Sequence, residues 1–78
     1  MIDALGNEVV VGNWYGYSKQ DSSLVTVVFA KVKYIKDGKA RLTEVIEKRS
    51  IYGDQYESTP GKERTMTGTT LFPVPPQE

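Results

Sequence analysis

The stretch Met1–Tyr17 constrains the fold more tightly than any other part of the chain. Asp3-Ala4-Leu5-Gly6-Asn7-Glu8 carries a Gly-Asn turn, and Val9-Val10-Val11 is a short apolar run. Gly12-Asn13 is a second turn of the same kind, and Trp14-Tyr15-Gly16-Tyr17 an aromatic strand. Two such turns so close together, bracketing apolar and aromatic runs, predict a small, strongly bent β-barrel.

With 78 residues the chain makes one domain. A chain of this length buries only about 60% of its unfolded surface, so its core is small. The absence of cysteine excludes a disulfide framework and any thiolate metal site. It also favours an intracellular setting, because small secreted domains lean on disulfides. No apolar run approaches the roughly 20 residues of a membrane span, and no charged-then-apolar leader opens the chain. The expectation is a soluble, cytoplasmic protein with no membrane partner. Formal net charge is zero, yet Lys31, Lys33, Lys36, Lys39, Arg41, Lys48 and Arg49 outnumber Asp37, Glu44 and Glu47 in the middle of the chain. A basic centre between mildly acidic ends gives a dipolar surface, not the strongly basic one of a dedicated nucleic-acid binder.

Helix signals are nearly absent; residues 40–49 have the composition for one but lack a 3.6-residue apolar stripe. Val, Ile, Thr, Tyr and Phe recur instead in runs bounded by turn residues. The clearest hairpin spans Val27 to Ile46, with Val28, Ala30, Val32 and Tyr34 on the inner face and Lys31 and Lys33 on the outer. Its turn, Lys36-Asp37-Gly38, admits two registers. A two-residue Asp-Gly loop sets Val32 opposite Thr43 and Tyr34 opposite Arg41. A three-residue loop, with Lys36 and Asp37 near αR and Gly38 left-handed, sets Tyr34 opposite Ala40, Val32 opposite Leu42 and Val28 opposite Ile46. Apolar pairing favours the latter. It brings Glu44 to the inner face, so a bulge near Glu44 is expected to carry the carboxylate out.

Asn13 to Ser18 predicts a strand ahead of this hairpin, followed by a polar loop over residues 19–23, and Arg64 to Phe72 predicts a closing strand after it. Ser50 to Glu63 is a polar excursion. Pro73, Pro75 and Pro76 cannot donate to a ladder, so 73–78 is expected to leave a barrel domain spanning 1–72. The expected fold is all-β, a five-stranded barrel with Val9, Val11, Val28, Ala30, Val32, Leu42, Ile46 and Leu71 in its core.

The head pattern Asp3-x-x-Gly6-Asn7-x-Val9-x-Val11-Gly12-Asn13-x-Tyr15-x-Tyr17 resembles the start of small SH3-like barrel proteins of tailed bacteriophages. It is also similar to the opening turn and strand of KOW- and Tudor-type barrels. Leu71-Phe72-Pro73-Val74 is similar to the closing strand of the same phage group. The resemblance implies an SH3-like barrel acting in the host cytoplasm, and carries over no catalytic residue.

The chemistry of the side chains points away from an enzyme. With neither His nor Cys, the usual general bases and thiol nucleophiles are absent. Glu44 with Glu47, and Asp54 with Glu57, are carboxylate pairs that read best as solvated surface charge. Gly12-x-x-x-Gly16 lacks the Lys-Ser/Thr of a phosphate loop, and no spacing of Asp and Glu points to a metal site. No cofactor is expected. Aromatic side chains are the remaining candidates. Tyr15 and Tyr17 share one face of their strand and Trp14 takes the other, so whichever side faces the core leaves aromatic surface outside, unless Trp14 lies under the 50–63 segment. Phe29 falls on the Lys31/Lys33 face.

Two functions follow. In the first, a non-enzymatic viral accessory module docks on a host or viral protein, or on a second copy of itself through a sheet edge. Its contact residues are Trp14, Phe29, Tyr52 and Tyr56. In the alternative, a nucleic-acid-binding barrel uses Lys31, Lys33, Lys36, Lys39 and Arg41, with Phe29 or Tyr34 stacking on bases. Zero net charge ranks the first above the second.

Overall fold

A computed structural model describes the backbone of residues 1–21, 24–52 and 55–77, and the side chains of residues 1–19, 26–49 and 57–77. The fold is all-β. Strands β1 (Trp14–Asp21), β2 (Leu24–Lys36), β3 (Lys39–Tyr52) and β4 (Gln55–Pro60) form an antiparallel meander. Two short strands follow, β5 (Arg64–Met66) and β6 (Phe72–Pro73), separated by a 3-10 turn at Gly68–Thr70. All six belong to one sheet, in the order β4-β3-β2-β1-β6 with β5 paired to the other half of β3. The sheet curls around one core, barrel-like, and no ladder joins β4 or β5 to β6 among the described residues. Residues 40–49, the one region with helix-forming composition, lie within β3.

The strand count exceeds the expected five because two regions differ from expectation. The polar excursion is partly strand: β3 runs on to Tyr52 and β4 returns beside it, with Glu47 opposite Thr59 and Arg49 opposite Glu57. The closing strand is broken in two. Gly68 packs so closely beneath the head that a Cβ there would lie 2.5 Å from the Ile2 carbonyl oxygen. With the Thr70 hydroxyl donating to the Thr67 carbonyl at 2.8 Å, this turn carries the chain from the β3 side of the barrel to the β1 side. Pro73 still belongs to the ladder, opposite Tyr15, and the Val74 N–H donates to the Trp14 carbonyl at 3.2 Å.

The central hairpin corrects the expected turn. Lys36 faces Lys39 across a two-residue Asp37-Gly38 loop, with φ of 53° at Asp37 and 74° at Gly38. Positive φ at both central residues is the signature of the type I′ turn, which matches the twist of its flanking strands. Gly38 is left-handed as expected, but Asp37 is not in αR. Tyr34 consequently pairs with Arg41 and Ile35 with Ala40. A bulge at Lys33 then shifts the register, so that Val32 meets Leu42 after all. A second bulge at Glu44 and Val45, opposite Ala30, shifts it back, so that Phe29 meets Ile46 and Val28 meets Glu47. Glu44 has φ of 53° and points into solvent, so the expected bulge there is present.

These shifts decide the core. Val9, Tyr15, Tyr17, Val28, Ala30, Val32, Ala40, Leu42, Val45 and Leu71 form one buried cluster, with Met1 and Met66 against it. Ile46, expected inside, is displaced by Val45 and lies half-buried on the outer face. Tyr34, also expected inside, is 48% exposed, because the Lys33 bulge turns it outward. Val11 is exposed as well. It sits in a β-turn closed by the Asn13 N–H and the Val10 carbonyl at 3.2 Å, with Gly12 at φ 91°. The Gly12 turn points it away from the barrel.

Leu42 is fully buried, so Leu42→Ala is expected to cost about 2–5 kcal/mol, a large share of the stability of so small a domain. Urea unfolding measures it. Gly38→Val puts a branched residue in a left-handed turn position and is expected to lose at least about 1–2 kcal/mol. A variant melting within a degree of the parent would contradict the turn geometry.

Candidate docking surfaces

The outer face of the sheet carries a continuous transverse row. Pro60, Ile46, Phe29, Gly16 and Phe72 are neighbours in register across β4, β3, β2, β1 and β6. Gly16 is the gap in this row that lets it close over. A Cβ there would lie 2.9 Å from the Phe72 ring and 3.2 Å from the Val28 carbonyl oxygen. The aromatic ring therefore takes the place of a Gly16 side chain. Lys48 Nζ stands 5.0 Å from the centre of the Phe29 ring and donates to Gln77 Oε1 at 3.3 Å. Phe29 is thus half-buried under a cation–π contact, not freely presented.

Trp14 lies on this outer face, next to Lys31 in register, because Tyr15 and Tyr17 both point inward. It is nonetheless only 7% exposed. The segment after β6 explains this. Pro73, Val74 and Pro76 share a small recess with Gly12, Asn13, Trp14 and Tyr15. Gln77 reaches across to Lys48 and folds back, its amide donating to the Pro75 carbonyl at 2.7 Å. Among the described residues, the C-terminal segment lies against the tryptophan on one side and Ser58–Pro60 of β4 border it on the other. Between Gln77 and the β4 residues Ser58–Pro60 an open groove of about 530 Å³ remains, floored by Trp14 and Ile46.

A second cleft marks where the sheet does not close. Tyr17 and Lys19 of β1 face Gly61, Lys62, Glu63 and Arg64 across a space of about 550 Å³. Lys19 Nζ binds Glu47 Oε1 at 2.7 Å, and the Arg64 guanidinium lies 5.9 Å from the centre of the Tyr17 ring. Each carboxylate of the Glu44/Glu47 pair therefore has its own lysine: Glu44 Oε2 lies 3.7 Å from Lys31 Nζ on the outside of the barrel. The two acids do not share a site. Asp54 of the other pair lies outside the described residues, and among the described residues no cluster of acidic groups could hold a metal ion.

The third surface is the end of the barrel that holds the head and the β2–β3 turn. Ile2 (47% exposed), Leu5 (66%), Val10 (49%) and Val11 (53%) are each exposed on the head, and Tyr34 and Ile35 are exposed on the hairpin. Backbone geometry imposes this exposure. Asp3 is buried, and its Oδ1 accepts the Leu5 N–H at 2.9 Å and the Asn7 N–H at 3.0 Å. The Ala4 N–H donates to the Leu71 carbonyl, the Gly12 N–H to the Val32 carbonyl and the Val10 N–H to the Tyr15 hydroxyl. These bonds tie the backbone of the head to β1, β2 and the residue before β6, while its aliphatic side chains stay exposed.

Of the four expected protein-contact residues, Trp14 is buried and Phe29 half-buried, while the side chains of Tyr52 and Tyr56 lie outside the described residues. Ile2, Leu5 and Val10 were absent from the expected contacts, although their turn context around Gly6 and Gly12 signals exposure. The basic set is split. Lys31 pairs with Glu44, and Arg41 lies 3.3 Å from both Glu63 and Thr65, whereas Lys33, Lys36 and Lys39 are exposed without a carboxylate partner among the described residues. No helix among the described residues is long and apolar enough to cross a membrane.

Trp14 is the single tryptophan, so its covering segment can be followed directly. A chain ending at Pro73 is expected to show red-shifted emission and stronger acrylamide quenching than the full chain. Comparison with models of protein families, with curated proteins and with solved structures found no match.

Proposed function

We propose that this chain is a non-catalytic accessory module that docks on another protein through the end of the barrel formed by Ile2, Leu5, Val10 and Val11. The observation that carries this reading is the exposure of four aliphatic side chains within a hydrogen-bonded loop. Single exposed apolar residues are ordinary, but a fixed group of them marks an interaction site. A rigid loop also pays little ordering entropy on binding. The likeness of the head and closing strand to small phage barrels supports an accessory role of that kind, in the cytoplasm of the infected cell. The contact set moves from Trp14 and Phe29 to the head, because Trp14 is buried and Phe29 is half-buried beneath Lys48.

Nucleic-acid binding is less well supported. Lys31 and Arg41 are engaged by carboxylates, which leaves three lysines of the candidate set exposed and unpaired among the described residues, on a chain of zero net charge. Three free lysines in that set give limited counterion release, the main source of non-specific affinity for a polyanion.

Leu5→Asp and Val11→Asp are expected to leave the melting temperature nearly unchanged, since surface substitutions away from packed features cost within about 0.5 kcal/mol. Each is expected to abolish capture of the protein partner in pull-downs from infected-cell lysate, as loss of a central contact costs about 2 kcal/mol or more, roughly 30-fold in Kd. Salt-sensitive binding to a random oligonucleotide, weakened by Lys36→Glu and Lys39→Glu and indifferent to the head variants, would overturn the reading.

A further inference from the structure

Among the described residues the sheet is open at β6 and at β4, and these edges are guarded differently. At one edge, the Val74 N–H bonds the Trp14 carbonyl, so residues 72 and 74 direct their backbone groups toward β1. Pro73, between them, turns its nitrogen outward and offers no donor. At the other edge the Gly61 N–H bonds the Val45 carbonyl at 2.9 Å, in the same register that sets Pro60 opposite Ile46. Hydrogen-bonded and non-hydrogen-bonded pairs alternate along an antiparallel ladder. Thr59 and Glu57 therefore also face β3, while Pro60, Ser58 and Tyr56 direct their backbone groups outward. Pro60 has no donor, but Ser58 and Tyr56 have both donor and acceptor. No lysine lies within β4, its only proline is its last residue, and no strand covers its outer side among the described residues.

We propose that two copies of this chain pair edge to edge through β4, antiparallel, with Ser58 on the two-fold axis. In this register each Ser58 N–H donates to the other Ser58 carbonyl, and each Tyr56 N–H donates to the Pro60 carbonyl of the second copy. Pro60 needs to donate nothing there and can still accept. Glu57 falls opposite Thr59 of the second copy. The neighbouring register, centred on Glu57, would set two carboxylates directly opposite each other, which is destabilising in a sheet. The formal net charge of zero means that two copies meet without long-range repulsion. A two-fold contact of this kind is closed, so it stops at the dimer. The β4 edge is separate from the aliphatic end, so this pairing does not rest on the docking role of the head.

Ser58→Pro removes the central outward donor while leaving every bond from β4 to β3 in place. Sedimentation velocity of the full chain from micromolar to millimolar concentration is expected to show a reversible dimer, and Ser58→Pro to remain a monomer with an unchanged β-sheet circular dichroism spectrum. The chain has no cysteine, so single-cysteine variants report the register even if the proline variant fails to fold. Ser58→Cys brings two Cα atoms to about 5.5 Å, within disulfide range, and is expected to cross-link on mild oxidation far faster than Glu57→Cys. A parent chain that stays monomeric throughout the range, or a Glu57→Cys variant that cross-links as fast as Ser58→Cys, would overturn the proposal.

Discussion

The β2–β3 hairpin carries two single-residue insertions on opposite strands, at Lys33 in β2 and at Glu44 and Val45 in β3, and they cancel. Beyond the second, the pairing returns to the register set by the Asp37-Gly38 turn. Only the short stretch between them is shifted, and there Val32 meets Leu42, two of the most completely buried side chains. Twist compatibility at the turn and apolar complementarity in the core demand different registers. The bulges satisfy both, and the bends they impose curl a flat ladder into a barrel. Without the Glu44 bulge, Ile46 would face inward, and the outer row would lose the residue that joins Phe29 to Pro60.

Much of this was legible from alternation. The all-β class, the central hairpin, the left-handed Gly38, the bulge that expels Glu44, and Val9, Val28, Ala30, Val32, Leu42 and Leu71 as core follow from period-2 patterning and turn chemistry. What escaped was the bulge at Lys33. A sequence argument that allows one irregularity assigns the whole register to the turn, and so misplaces Tyr34 and Ile46. Val11 misled for a different reason: its alternation with Val9 is apolar, but the Gly12 turn reverses its direction. The break between β5 and β6 depends on the close approach of Gly68 to Ile2, a contact between distant parts of the chain that no local pattern encodes.

The surfaces were less legible than the core. Trp14 on the strand face opposite Tyr15 and Tyr17 was expected, but the C-terminal segment against it was not, because three prolines near the end read as a segment without partners. Prolines cannot extend a ladder on the side of their nitrogen, yet they can lie flat across an aromatic surface at little entropic cost. The basic centre of the chain changes its meaning in the same way. Lys31 and Arg41 are each answered by a glutamate from a neighbouring strand or connection, and Lys19 by Glu47, two strands away. A charge bias along the sequence thus becomes a set of local ion pairs once the strands are side by side.

The pairing of β6 with β1 joins the last-made part of the sheet to nearly the first. During synthesis the head and β1 emerge from the ribosome before Leu71 and Phe72 can reach and cover them. Until then Gly16 has no ring above it, the Ala4 N–H has no Leu71 carbonyl to bond, and Trp14 faces water. The nascent chain therefore displays an aromatic and aliphatic surface that the finished protein hides only in part, and long-range closures of this kind form slowly. That interval is when the chain is most open to chaperones and to misassembly with other nascent copies.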